Sequence, residues 1–130
     1  MSIPVSISAL SERIAERGPE AFLVTTNEDL SPHVVSVLVE QDGGLLVLPA
    51  GRSTRRNAER TPSVTLLWAA GPADPYSLIV DARAQPAGAD DDRIRVEPRA
   101  AILHRMAGRG DGPSCVAIDA PPPLGSEPQG

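Results

Sequence analysis

Apolar residues in this chain come in short runs, and turn-forming residues separate them. Gly18-Pro19, Asn27 to Pro32, Asp42-Gly43-Gly44, Pro49-Ala50-Gly51, Thr61-Pro62 and Gly71 to Pro75 punctuate the sequence too often for long helices. No apolar run approaches the roughly 20 residues of a membrane-crossing helix, so no membrane partner is expected. Between the breaks the residues are β-branched or alternate in polarity. Phe22 to Thr26 reads as a first strand. His33 to Glu40 reads as a second, buried on both faces, and Leu45 to Leu48 as its hairpin partner across Asp42-Gly43-Gly44. Ser63 to Trp68 and Tyr76 to Ala84 follow, the latter with Asp81 and Arg83 toward water. Arg93 to Val96 and Ala100 to His104, split by Pro98, read as mixed, and Cys115 to Ile118 as a last short strand. Ile7, Leu10 and Ile14 at helical spacing mark a first helix, capped by Ser6 or Ser8 and stopped at Gly18-Pro19. Ser53 to Arg60 reads as a second helix of about two turns. Many short strands, two small helices and no βαβ rhythm indicate a mainly β barrel or sandwich and argue against a Rossmann sheet.

A chain of 130 residues suffices for one hydrophobic core. We take residues 1–120 as a single domain and 121–130, rich in Pro and Gly, as an unpacked tail. Met1 to Ser8 shows no secretory pattern and Cys115 is the single cysteine, which together place the chain in the cytoplasm.

Charge sharpens the reading. The net charge is −5, every basic residue is an arginine, and four arginines fall between Arg52 and Arg60. An acidic molecule with three aromatic residues is poorly made for nucleic acid, so no such partner is expected. A local arginine cluster instead fits a small anion, because the guanidinium fork matches phosphate oxygens. The start of a helix adds free amides and partial positive charge. Gly51 allows close approach, Ser53 and Thr54 bring hydroxyls, and Arg52, Arg55 and Arg56 bring charge. The alternative is that Ser53 caps the helix and the arginines form a solvated face.

The segments Pro32-His33-Val34-Val35-Ser36-Val37, Asp42-Gly43-Gly44, Gly51-Arg52-Ser53-Thr54-Arg55-Arg56-Asn57 and Pro62-Ser63-Val64-Thr65-Leu66 resemble the pyridoxamine 5'-phosphate oxidase-like, FMN-binding split barrels. The resemblance runs from Phe22 to about Ala84, and Ala101-Ile102-Leu103-His104-Arg105 is similar to stretches of small actinobacterial members. It implies a split β-barrel working as a homodimer, with FMN in a cleft between subunits. By that analogy Ser53 and Arg55, with Arg56 as a second candidate, contact the phosphate. Val35, Ser36 and Val37 line the ring, and Trp68 approaches from the neighbouring strand, although the residue pattern by itself makes Trp68 a core side chain. The oxidases themselves carry an Arg early in the second strand and a Thr at the end of the third, where this chain has His33-Val34 and Pro49. That marks a diverged member acting on some other small-molecule redox substrate. The deazaflavin coenzyme used by near relatives, with its longer acidic tail, is the alternative cofactor. A flavin- or haem-binding protein without turnover is the alternative function.

Other residues carry less. His33 and His104 lack clustered Cys or carboxylates, so no metal site is expected. Cys115 sits in an apolar setting that favours an inert thiol. Asp90-Asp91-Asp92 reads as a solvated turn. The sequence contains no nucleophile-elbow, Walker or dinucleotide fingerprint.

Overall fold

In the computed structural model the chain is described over residues 2–86 and 91–106. Cys115, the expected strand 115–118, the tail 121–130 and Asp90 lie outside the described residues. Within them the order is β1 (Ser2–Val5), α1 (Ile7–Arg17), β2 (Glu20–Thr26), β3 (Pro32–Leu38), β4 (Glu40–Asp42), β5 (Leu45–Pro49), α2 (Arg52–Arg60), β6 (Ser63–Trp68), β7 (Ser77–Ala84) and β8 (Arg93–His104).

All the strand pairings are antiparallel, in the order β3-β2-β6-β7-β8-β5-β4, with β1 paired to β8. The two ends of that order, β3 and β4, are separated in sequence by Val39 alone. The sheet therefore curls until its edges meet at that residue, and the Val39 amide bonds to Pro19 O at 2.8 Å. The result is a mainly β split barrel with two short helices. Alternation along each strand sends Leu23, Leu48, Leu66, Leu78, Val80 and Val96 into a fully buried centre. Each such side chain contributes about 1.5–3 kcal/mol of burial. Leu10 and Ile14 of α1 join that core, while Ile7 is exposed.

Three expectations change. The long second strand divides at Val39: its first part pairs with β2, and only Glu40–Asp42 forms the hairpin with β5. The turn of that hairpin is Gly43-Gly44, with φ of +57° and +91°, the left-handed values that glycine adopts without strain. Second, β3 is an edge strand and is not buried on both faces. Val35 and Val37 turn inward, while Val34 and Leu38 on the outside are each 57% exposed. Third, the mixed region is one strand of 12 residues that runs through Pro98. β8 pairs with β5 only up to Val96 and with β1 only from Ala101. Pro98 falls between the two, where β7 is the sole partner and a missing donor is tolerated. There Asp81 pairs with Ala100 and Ala82 with Pro98, so Arg99 is the extra residue of a β-bulge.

Candidate functional site

The outer surface of the barrel carries an apolar row set by register. Phe22 lies opposite Leu67, Leu67 opposite Ile79, and Ile79 opposite Ile102. Phe22 is 42% exposed, and Val34 and Leu38 lie beside it on β3. One end of this surface forms the wall of an open cleft of about 820 Å³. Phe22, Ser36, Val37 and Leu67 line one side, and Pro49, Ala50 and Gly51 lead from the other side into α2. That volume lies within the range of small-molecule sites.

The helix start is unusually bare. Gly51 is the N-cap, no side chain caps the first turn, and no acid sits in it. The backbone of Gly51, φ −70° and ψ 172°, would accept any residue, and a Cβ there would meet nothing within 4 Å. Neither strain nor protein packing explains a glycine here. An open approach to the helix amides fits what a bound phosphate needs.

The expected site residues divide. Ser36 and Val37 line the cleft, Ser36 with its side chain outward and Val37 from the core side. Val35 packs against the core and does not reach it. Arg52, Ser53 and Arg56 are exposed on the first turns of α2, just past Gly51. Neither Arg52 nor Arg56 has a carboxylate within bridging distance among the described residues. Arg55 folds back to donate to Ala50 O and lines a different groove. Trp68 is not brought to the cleft. It is 2% exposed, and its Nε1–H donates to Gly18 O at 3.0 Å, tying β6 to the end of α1.

Sequence reasoning missed what anchors the far end of α2. The buried Asn57 donates through Nδ2 to Thr25 Oγ1 at 3.1 Å and to Asn27 Oδ1 at 2.9 Å. Arg60 donates to Asn57 Oδ1 at 2.7 Å and to Thr26 O at 3.0 Å. Nearer the start, His33 Nε2 and the buried Thr54 Oγ1 are 3.2 Å apart. Arg60 thus serves the fold, and His33 is already engaged. His104 Nδ1 lies 3.2 Å from Ser2 Oγ. Among the described residues, no three His, Cys, Asp or Glu side chains gather as metal ligands.

Two turns steady this assembly. In the β2–β3 turn, Ser31 donates its hydroxyl and amide to Asp29 and holds that carboxyl below its ordinary pKa. Ahead of β8, Arg95 meets Asp91 at 2.5 Å and, with the Arg93 amide, does the same for Asp91, whose charge raises the Arg95 pKa in turn. The neighbouring Asp92 O accepts the Ala50 amide at 3.0 Å, which fixes the segment entering α2.

The antiparallel split barrel defines the class, and its outer cleft, lined by apolar residues together with Glu20, Ser36 and Asp92, meets the bare helix start at Gly51. An uncharacterized protein of Mycobacterium bovis is 40% identical over 126 residues, covering 79% of this chain and 87% of the relative, and one from Mycobacterium tuberculosis matches equally. A candidate pyridoxamine 5'-phosphate oxidase of Listeria innocua superposes with TM-score 0.58 at 17% identity, covering 78% of this chain and all of the other. An F420 reductase superposes with TM-score 0.55 at 22% identity, covering 69% of this chain and 94% of that one. A FAD-binding protein from Mesorhizobium loti superposes with TM-score 0.57 at 11% identity, covering 79% and 96%. No family model matches the chain. The chain belongs to the family of these mycobacterial proteins, and its fold is the pyridoxamine 5'-phosphate oxidase-like split barrel. No helix among the described residues is long and apolar enough to cross a membrane.

Proposed function

We propose that this chain is a cytoplasmic, homodimeric flavoprotein that holds FMN in the cleft between β3 and the start of α2 and carries out redox chemistry on a small-molecule substrate. The observation that carries this reading is the bare helix start at Gly51 opening onto the cleft, with Arg52 and Arg56 exposed on the first turns of that helix and without a carboxylate in bridging distance among the described residues. The phosphate sits over the first-turn amides next to Gly51, with Ser53 as a hydroxyl donor and Arg52 and Arg56 supplying charge. Arg55 contributes by holding Ala50, from which the helix begins. Ser36 and Val37, which line the cleft, would hold the flat ring, with Val35 supporting them from the core. When bound, the cofactor supplies hydride or electron transfer, and the chain binds it, orients it and keeps water away. The exposed row of Phe22, Val34 and Leu38 supports the dimer, because a second copy seated there would bury it and close the open wall.

A second reading has its own support. Arg52 and Arg56 are one helical turn apart on the exposed face, a spacing suited to a longer acidic tail such as a deazaflavin carries. An absorption spectrum of natively purified protein separates the two, through flavin bands or deazaflavin bands. If titration shows that neither compound binds, the cleft is not a cofactor site. Sedimentation as a stable monomer at micromolar concentration would remove the dimer.

A further inference from the structure

A second groove, of about 480 Å³, runs between α2 and the paired ends of β7 and β8 and shares no lining residue with the cleft. Arg55, Arg83 and Arg99 line it, with Glu59 the one carboxylate on its wall among the described residues. Three guanidinium groups in one depression repel one another, which a chain of net charge −5 could relieve with neighbouring acids. Elsewhere it does so: Arg17 meets Asp74 at 2.8 Å and Arg95 meets Asp91 at 2.5 Å. Here it does not. Arg83 has no carboxylate within bridging distance among the described residues, although Glu97 stands opposite it in the β7–β8 register. Glu97 instead meets Arg99 at 3.4 Å, an exposed pair of little strength. Arg55 donates to Ala50 O, which brings no negative charge.

The backbone adds an independent sign. Arg99 is the extra residue of the β8 bulge, a device that re-aims one side chain and is common beside functional sites. Arg83 and Arg99 together also border an adjoining hollow of about 360 Å³ that presents Ser63 and Thr65. Thr65 donates to Asp81 at 3.2 Å, so the acid in that hollow is partly occupied.

We propose that this groove is a second anion site, in which the forks of Arg83 and Arg99, with Arg55 behind them, hold the phosphate or carboxylate group of a small acidic metabolite. The groove shares no lining residue with the cleft, and Arg55 connects the two through its bond to Ala50 O.

Isothermal titration of the full chain with inorganic pyrophosphate and with citrate, at low ionic strength, tests it. At least one of the two should bind, pyrophosphate marking a phosphate ligand and citrate a carboxylate ligand. With the charge of the proposed cofactor site removed by Arg52→Ala/Arg56→Ala, binding to the groove should persist, and adding Arg83→Ala/Arg99→Ala to that chain should weaken it by about tenfold or more. Both replaced pairs are exposed, and an unchanged urea midpoint confirms the fold. Arg83→Lys/Arg99→Lys keeps the charge without the forks and should still bind several-fold more weakly. The proposal is overturned if neither probe binds the Arg52→Ala/Arg56→Ala chain, if adding Arg83→Ala/Arg99→Ala leaves that binding unchanged, or if the lysine pair binds as tightly as the arginines.

Discussion

The two ends of α2 follow opposite rules. At its end, Asn57 and Arg60 make four hydrogen bonds among themselves and to Thr25, Thr26 and Asn27, which stitch the helix to the β2–β3 hairpin. At its start, Gly51 lines the cleft and provides no side-chain cap, and Arg52, Ser53 and Arg56 stand in solvent. The same short helix carries four arginines, and only the last is fully committed to the fold. Polar groups satisfied inside the protein hold the helix in place, and those left open face solvent. This contrast assigns stability to one end and binding to the other, and mutations at the two ends should separate them.

The largest effect is expected at the start. Arg52→Ala/Arg56→Ala should weaken FMN binding by about 3 kcal/mol, roughly a hundredfold, through loss of charge-assisted contacts. Stability should change by no more than about 0.5 kcal/mol, since both side chains are exposed and unpaired. Fluorescence titration and urea denaturation of the same sample measure both quantities. A large stability loss would mean that the start is structural after all. At the far end Asn57→Ala should do the reverse, costing about 2 kcal/mol of folding free energy by leaving Thr25 and Arg60 short of a buried partner. Binding measured well below the new midpoint should fall only modestly. Unchanged stability would break the contrast from the other side.

How much of this was readable in advance depends on whether the cause is local. Ser63 to Trp68 alternates cleanly, and its strand has those bounds, because one face is buried and the other is not. Gly43-Gly44 dictates its hairpin from two residues, and the helix read from Ser53 to Arg60 between Gly51 and Pro62 begins one residue earlier, at Arg52. The exposed edge of β3 was not readable, because an apolar strand looks the same whether its outer face meets protein or solvent. Pro98 read as a break because its neighbours in space, the ends of β5 and β1, are far away in sequence. The fates of the arginines were illegible for the same reason. Arg60 reaches Thr26 O, 34 residues away, and nothing in the spacing of the cluster distinguishes it from Arg56. Trp68, placed by a contact 50 residues away at Gly18, was likewise invisible to local pattern.

A smaller effect tests the bare cap directly. Gly51→Ser should place a hydroxyl on a first-turn amide and stabilise the fold by a few tenths of a kcal/mol. The same hydroxyl occupies a donor that the phosphate would use, so FMN binding should weaken several-fold. Stability and affinity moving in opposite directions would show the uncapped start to be a binding feature. If both rise together, the glycine is incidental.

The smallest effect concerns the turn that presents the helix start. Arg95 holds the Asp91 carboxyl below its usual pKa. A group with a depressed folded pKa stabilises above its unfolded value, near 4 for Asp, and loses that contribution as pH falls through the folded value. Asp91→Asn should therefore lower the urea midpoint slightly at pH 7, by an amount that shrinks as pH falls below the ordinary carboxylate range. Asp29, held low by Ser31 in the turn beneath the opposite end of α2, should behave the same way when replaced by Asn. The two substitutions differ in what else they move. Asp91 is adjacent to Asp92, whose carbonyl accepts the Ala50 amide ahead of Gly51, so Asp91→Asn should also loosen the approach to the cleft and lower FMN affinity at neutral pH. Asp29→Asn acts on the clamped end and should leave affinity alone. Equal effects on affinity would mean that α2 moves as one rigid piece and that its two ends are not independent.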